Sequence, residues 1–97
     1  MFRLIFHEEF YKDIKKLDKT FVNEVWSQIT KIKENPTQTK HLSGGQNCFR
    51  VRVRNYRLVY CVEKDVVYIL IIAPRKTVYE KYLKRLYKIR SSAGDNT

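Results

Sequence analysis

Cysteine, proline, glycine and histidine are all scarce in this chain, with two Cys, two Pro, three Gly and two His among 97 residues. Cys48 and Cys61 are too few and too far apart for a zinc motif, and no Cys-x-x-Cys pair occurs. They read as small buried hydrophobes rather than as a disulfide. His7 and His41 lack metal-ligand spacing. Local hydrogen bonding is the expected role of His7, and His41 stays open as a proton shuttle. Neither a metal nor an organic cofactor is implied. Gly44 and Gly45 are adjacent, but no Lys-Ser/Thr follows them and no helix opens there, so they read as a turn and not as a phosphate-cradling loop. Long apolar runs are absent as well: nothing reaches membrane-spanning length and the N-terminus lacks the apolar region of a signal peptide. The expectation is a cytoplasmic protein without a membrane partner. No internal repeat and no second domain is visible.

What the chain has in excess is basic charge, a net of +10. Residues 1–47 hold eight Lys/Arg against six Asp/Glu, whereas residues 48–90 hold twelve against three. Basicity is therefore concentrated in the C-terminal half, as a localised footprint for a polyanion such as nucleic acid requires.

The stretch Cys48–Val62, CFRVRVRNYRLVYCV, organises that half. Successive strand residues point to opposite faces, so Arg50, Arg52 and Arg54 are expected on one face and Phe49, Val51 and Val53 on the other. A second alternating segment follows from Tyr56, and Arg54-Asn55 reads as the tight turn of a hairpin. One side of this hairpin is apolar and must be core. The other is lined with guanidiniums.

The rest of the chain supports it. Phe2–Phe6 reads as a first strand. Phe10, Ile14 and Leu17 recur at helical spacing within Glu8–Leu17, and Phe21, Val25, Ile29 and Ile32 do so within Phe21–Glu34, with Asp18 or Thr20 as a cap. In the first of these helices the lysines read as a solvated face. Thr37–Asn47 is a polar connection with a short strand near Leu42. Val66–Ile72 is a β-branched run expected to be buried on both faces. Thr77–Ile89 carries a wide apolar stripe and reads as a last helix. The predicted fold is α+β: a small antiparallel β-sheet with an N-terminal helical hairpin packed on it and a C-terminal helix. Residues 1–90 form the expected single domain and 91–97 a disordered tail.

The segments FYKDIKKL at Phe10–Leu17, Leu42-x-Gly44, FRVRVRNYRLVY and Pro74-Arg75, in this order of elements, resemble the RelE/ParE superfamily of bacterial and archaeal toxins. The resemblance spans roughly residues 2–83, and YRLVY is its most specific part. It implies a toxin of a type II toxin–antitoxin system. RelE-like members are ribosome-dependent endoribonucleases that cut mRNA in the A site, whereas ParE-like members poison DNA gyrase. The positions that matter for the nuclease branch are filled here. The resemblance implies Arg57, Arg75 and Tyr79 as catalytic residues and places the family's two basic strand residues at Arg50 and Arg52; these two, with Arg54 and Lys76, are the expected RNA contacts. Better-known RelE enzymes carry lysines where this chain has Arg50 and Arg52, and the general acid and base are left unassigned.

Fixed guanidiniums suit transition states of phosphoryl transfer, since they bind phosphate oxygens in pairs and stay protonated at any working pH. Tyr79 is expected to orient the nucleophile or stack on an unpaired base, or simply to belong to the apolar stripe of the last helix. The implied partners are mRNA, the ribosome and an acidic, RelB-like antitoxin that wraps the basic face. A gyrase inhibitor and a non-catalytic RNA-binding module remain open as alternatives.

Overall fold

The structure, a computed structural model, describes residues 2–38, 40–42 and 47–95. Its elements are β1 (Arg3–Phe6), α1 (Phe10–Lys15), α2 (Lys19–Glu34), β2 (Lys40–His41), β3 (Cys48–Val53), β4 (Tyr56–Glu63), β5 (Val66–Pro74) and α3 (Arg75–Asp95). The strands form one sheet in the order β1-β5-β4-β3-β2. Pairing is antiparallel throughout except between β1 and β5, which run parallel. The α+β architecture expected from the sequence is therefore the one observed, with a parallel edge pair added to it. The turn expected at Gly44-Gly45 lies outside the described residues.

The helices sandwich the sheet. On one face α1 and α2 bury Phe10, Phe21, Val25, Ile29 and Ile32 against Phe49, Val53, Leu58, Tyr60, Val67, Ile69 and Ile72. On the other, Val78, Tyr82 and Leu86 of α3 pack on Cys48, Val59, Cys61, Leu70, Ile71 and Ala73. The apolar stripe of α2 follows a helical repeat, and each such side chain removed from water contributes about 1.5–3 kcal/mol. Asp18 caps α2 by accepting from Phe21 N at 2.8 Å. Tyr60 is fully buried, and its hydroxyl is satisfied by donating to Pro36 O at 2.6 Å.

β5 is buried on both faces, as its composition predicts, and it carries an irregularity that periodicity alone does not reveal. Val59 pairs with Ile71 but Tyr60 pairs with Ile69, so Leu70 is an extra residue. This bulge turns both Leu70 and Ile71 towards α3 while Ile69 and Ile72 face α1 and α2.

Several boundaries differ from expectation: α2 begins at Lys19 rather than Phe21, and β5 runs on to Pro74 rather than ending at Ile72. Helix α1 is shorter than Glu8–Leu17, because Lys16 N and Leu17 N already bond back to Asp13 O and Ile14 O and turn the chain into α2. Helix α3 starts two residues before Thr77, directly after Pro74, with Arg75 N donating to Asn55 O at 3.0 Å. It also continues past Ile89 to Asp95, so residues 91–95 of the expected tail have helical backbone. Once a helix is anchored by packing, each added residue costs little.

Cys48 and Cys61 are corrected outright. They form a disulfide across the β3–β4 hairpin, with Cα atoms 4.0 Å apart, under α3. The pairing register places the two opposite each other, which proximity in sequence did not suggest. Among the described residues, no helix is long and apolar enough to cross a membrane.

Candidate functional site

The hairpin register decides which arginines meet. Cys48 pairs with Cys61, Arg50 with Val59 and Arg52 with Arg57, so these residues share the face that α3 covers. Arg57 in turn pairs with Ala73 on β5, two residues before α3 begins. The Arg52–Arg57 row thus lies level with the passage from β5 into α3, and the start of that helix brings in Arg75 and Lys76, both exposed.

Among the described residues, three of the guanidiniums each make one hydrogen bond. Half-buried Arg57 donates from Nη1 to Tyr56 O at 2.9 Å. Arg52 donates from Nε to Arg54 O at 3.2 Å. Arg50 donates from Nη1 to the hydroxyl of Tyr79 at 3.1 Å, and its guanidinium carbon lies 5.9 Å from the centre of that ring. Among the described residues no carboxylate forms an ion pair with Arg50, Arg52, Arg57 or Arg75. Like charges directly opposite on paired strands cost stability, so Arg52 facing Arg57 is an arrangement an anion relieves. Helix α3 adds to this, since its first turn contains no acidic residue to complement the positive end of its dipole.

Tyr79 does two things at once. It packs at the border of the α3-side core and it offers its hydroxyl to Arg50. Because that oxygen accepts from Arg50, the phenol proton remains available to donate elsewhere. Arg75 and Tyr79 are one helical turn apart, which places them on neighbouring positions of the same helix face.

Arg54 departs from the expected row. It occupies the turn with φ 57°, its guanidinium pairs with Glu24 of α2, and it lies 4.6 Å from the ring centre of Phe21. A left-handed turn residue no longer follows strand alternation, so Arg54 swings to the side opposite Arg50 and Arg52. Sequence reasoning also missed Asn55, whose carbonyl ties the start of α3 to the hairpin turn and so sets Arg75 beside it. The signal available was only its place in a tight turn. His7, expected to make local hydrogen bonds, accepts at Nδ1 from Glu9 N at 3.1 Å. For His41 the described structure extends to its place in β2.

Known proteins share this fold. Residues 4–79 match the family described as ParE toxin of type II toxin-antitoxin system, parDE. Among solved structures, an arginine-to-alanine double mutant of the E. coli toxin RelE in the free state is similar with a TM-score of 0.75 and 26% identity, over 87% of this chain and 96% of that one. The isolated E. coli RelE toxin is similar with a TM-score of 0.70 and 29% identity, over 89% and 99%. A chain of the intact E. coli RelBE toxin–antitoxin complex gives 0.70 and 26%, over 76% and 96%. No curated protein matches. A family match over most of the chain, on a fold shared with RelE and with the hairpin and α3 converging as above, makes this protein a member of the ParE toxin family within the RelE/ParE superfamily, a toxin of a type II toxin–antitoxin system.

Proposed function

We propose that this toxin is a RelE-type, metal-independent endoribonuclease that cuts mRNA in the ribosomal A site by attack of the RNA's own 2′-hydroxyl, and so halts translation. One observation carries the reading: Arg52 and Arg57 face each other with no carboxylate partner among the described residues, beside an Arg50–Tyr79 hydrogen bond. A site for binding a protein surface alone has no need to hold two guanidiniums in such opposition.

In this mechanism the 2′-hydroxyl gives its proton to solvent water and forms a bond to phosphorus, the bond to the 5′-oxygen breaks, that oxygen takes up a proton, and a 2′,3′-cyclic phosphate is left. Arg57 and Arg75 neutralise the crowded phosphorane, where one positioned donor is worth about 3–4 kcal/mol. Arg50 and Arg52 bind flanking phosphates. Arginine does not exchange protons at working pH, so the guanidiniums serve neither as acid nor as base. Tyr79 is the side chain whose free proton suits the departing 5′-oxygen. Lys76 extends the anion-binding surface along α3. Arg54, engaged with Glu24, takes no part.

The substrate sets the place of action in the cytoplasm. The partner that restrains the toxin is a RelB-like antitoxin whose acidic segment covers Arg50, Arg52 and Arg57. The family match to ParE favours a second reading, inhibition of DNA gyrase.

The deciding experiment is primer-extension mapping of mRNA on programmed ribosomes, with naked RNA as control, for wild type, Arg57→Ala and Arg75→Ala. Cuts in the A-site codon that need the ribosome and vanish in both variants are the expected result. Intact mRNA, together with inhibited supercoiling by gyrase, would move the protein to the second reading.

A further inference from the structure

A second basic surface lies on the other side of α3, away from the hairpin arginines. Helices α1 and α3 flank a groove of about 310 Å³ at the outer edge of β5. Lys12 of α1 and Lys16, which caps the C-terminus of that helix, line it on one side, and Lys81 and Lys84 line it from α3. Its floor is the Asp13–Arg85 ion pair, in which Arg85 Nη1 and Nη2 donate to the two carboxylate oxygens at 2.6 and 2.9 Å. Glu9, the remaining acid of the lining, also pairs with Arg85, at 3.9 Å.

The acids of the groove are thus directed at Arg85, and the four lysines form no ion pair among the described residues. Two helices remote in sequence are held together so that four lysines, none ion-paired among the described residues, line one trough. Like charges a turn apart on a helix destabilise it, and bringing two such pairs across a groove compounds the cost.

The geometry points to the α1–α3 groove as a second binding site for an RNA phosphate backbone, separate from the face that carries Arg52 and Arg57. The composition of the lining selects the partner class. Among the described residues no apolar side chain lines it, so an amphipathic acidic helix would find no anchor there, whereas a phosphate chain needs only charge. Lysines act as point charges without the paired geometry of arginine, which fits a sequence-independent grip. This site rests on the RNA-directed reading above, but it serves to hold the polyanion and takes no part in cleavage.

The test uses the intact protein and a fluorescein-labelled 24-nucleotide 2′-O-methyl RNA, which lacks the 2′-hydroxyl and stays uncut, as a single strand and annealed to its complement. Binding is measured by anisotropy from 50 to 200 mM KCl for wild type, K12Q/K16Q, K81Q/K84Q, the quadruple variant and R52A/R57A. Four phosphate contacts contribute about 3 to the slope of log K against log salt. The quadruple variant should lose about that much slope and at least about tenfold in affinity, with each pair variant near half. Thermal midpoints at or above wild type are expected for the lysine variants, because repulsion is relieved. Whichever probe shows the larger loss tells whether a single strand or a duplex occupies the groove. Unchanged affinity and slope in the quadruple variant would overturn the site. So would a poly-glutamate peptide that binds wild type but not the quadruple variant while RNA binding stays intact, since the groove would then take a protein. If R52A/R57A still cuts mRNA on ribosomes while the lysine variants lose RNA affinity, the cleavage reading fails and the groove stands.

Discussion

Asp13 and Arg85 close the free edge of β5 between them. β1 stops pairing at Phe6 opposite Ile69, and among the described residues the next stretch of β5 has no strand neighbour on that side. There Asp13 Oδ2 accepts from Ile72 N at 3.2 Å, and Arg85 Nη1 donates to Leu70 O at 2.8 Å. The two side chains, 11% and 12% exposed, then bond to each other in two places. An ion pair thus continues the sheet's hydrogen bonding and fixes α1 and α3 to the same strand.

Breaking this pair from one side leaves a nearly buried charge and an unsatisfied backbone group. Asp13→Ala and Arg85→Ala are each expected to lose about 3–5 kcal/mol of stability, read from urea unfolding. The double variant should lose clearly less than the sum, because no lone charge remains. Additive losses would show that the two residues act separately.

Arg54 and Arg57 are three residues apart and predict opposite outcomes. Arg57→Ala should reduce ribosome-dependent cleavage about 10²–10³-fold while leaving the unfolding midpoint at or above wild type, since Arg52 is freed of its facing charge. Arg54→Ala should leave cleavage within about twofold and cost about 1 kcal/mol of stability, from the Glu24 pair and the Phe21 ring. Equal losses of activity in the two variants would restore Arg54 to the site.

These contrasts mark what the sequence conveyed. The α2 stripe, the Asp18 cap, the doubly buried β5 and the Arg50/Arg52 face follow from side-chain period, which is a local property. Arg54 misled because alternation was continued into a turn residue whose φ is positive. The disulfide was legible in a way that spacing motifs do not capture: Cys48 and Cys61 are equidistant from the Arg54-Asn55 turn, so a two-residue hairpin puts them opposite. The Asp13–Arg85 pair and the α1–α3 groove depend on helices that approach only in the folded chain, and no period in either helix announces the other.

The disulfide has its own consequence. Both cysteines are buried, Cys48 at 0% and Cys61 at 3% exposure, so a dithiol reductant should leave the bond intact in the native protein and cleave it when urea opens the core. A bridge with a sequence separation of 13 contributes about 3 kcal/mol by restricting the unfolded chain. Cys48→Ala/Cys61→Ala and the reduced protein should therefore share a lowered urea midpoint, with the α3-side core otherwise formed. Rapid thiol release without denaturant would show that α3 does not shield the bond.

His7 makes folding sensitive to mild acid. The ring is buried at the junction of β1 and α1, and burial pushes its pKa below the ordinary value, helped by the Arg85 guanidinium and by Lys88; Glu9 and Glu8 act in the opposite sense. Its Nδ1 accepts from Glu9 N, a bond that only a ring unprotonated at Nδ1 makes. In the unfolded chain the imidazole takes up a proton below about pH 6.5, while in the folded protein it does so only at lower pH. The unfolded state then binds more protons in that window, so stability is full above the unfolded value and is lost as pH falls through the folded one. The urea midpoint of wild type should drop between pH 7.5 and 5.5 by more than that of His7→Asn, whose amide oxygen offers Glu9 N an acceptor that does not titrate. Identical pH dependences in the two proteins would remove His7 from the acid response.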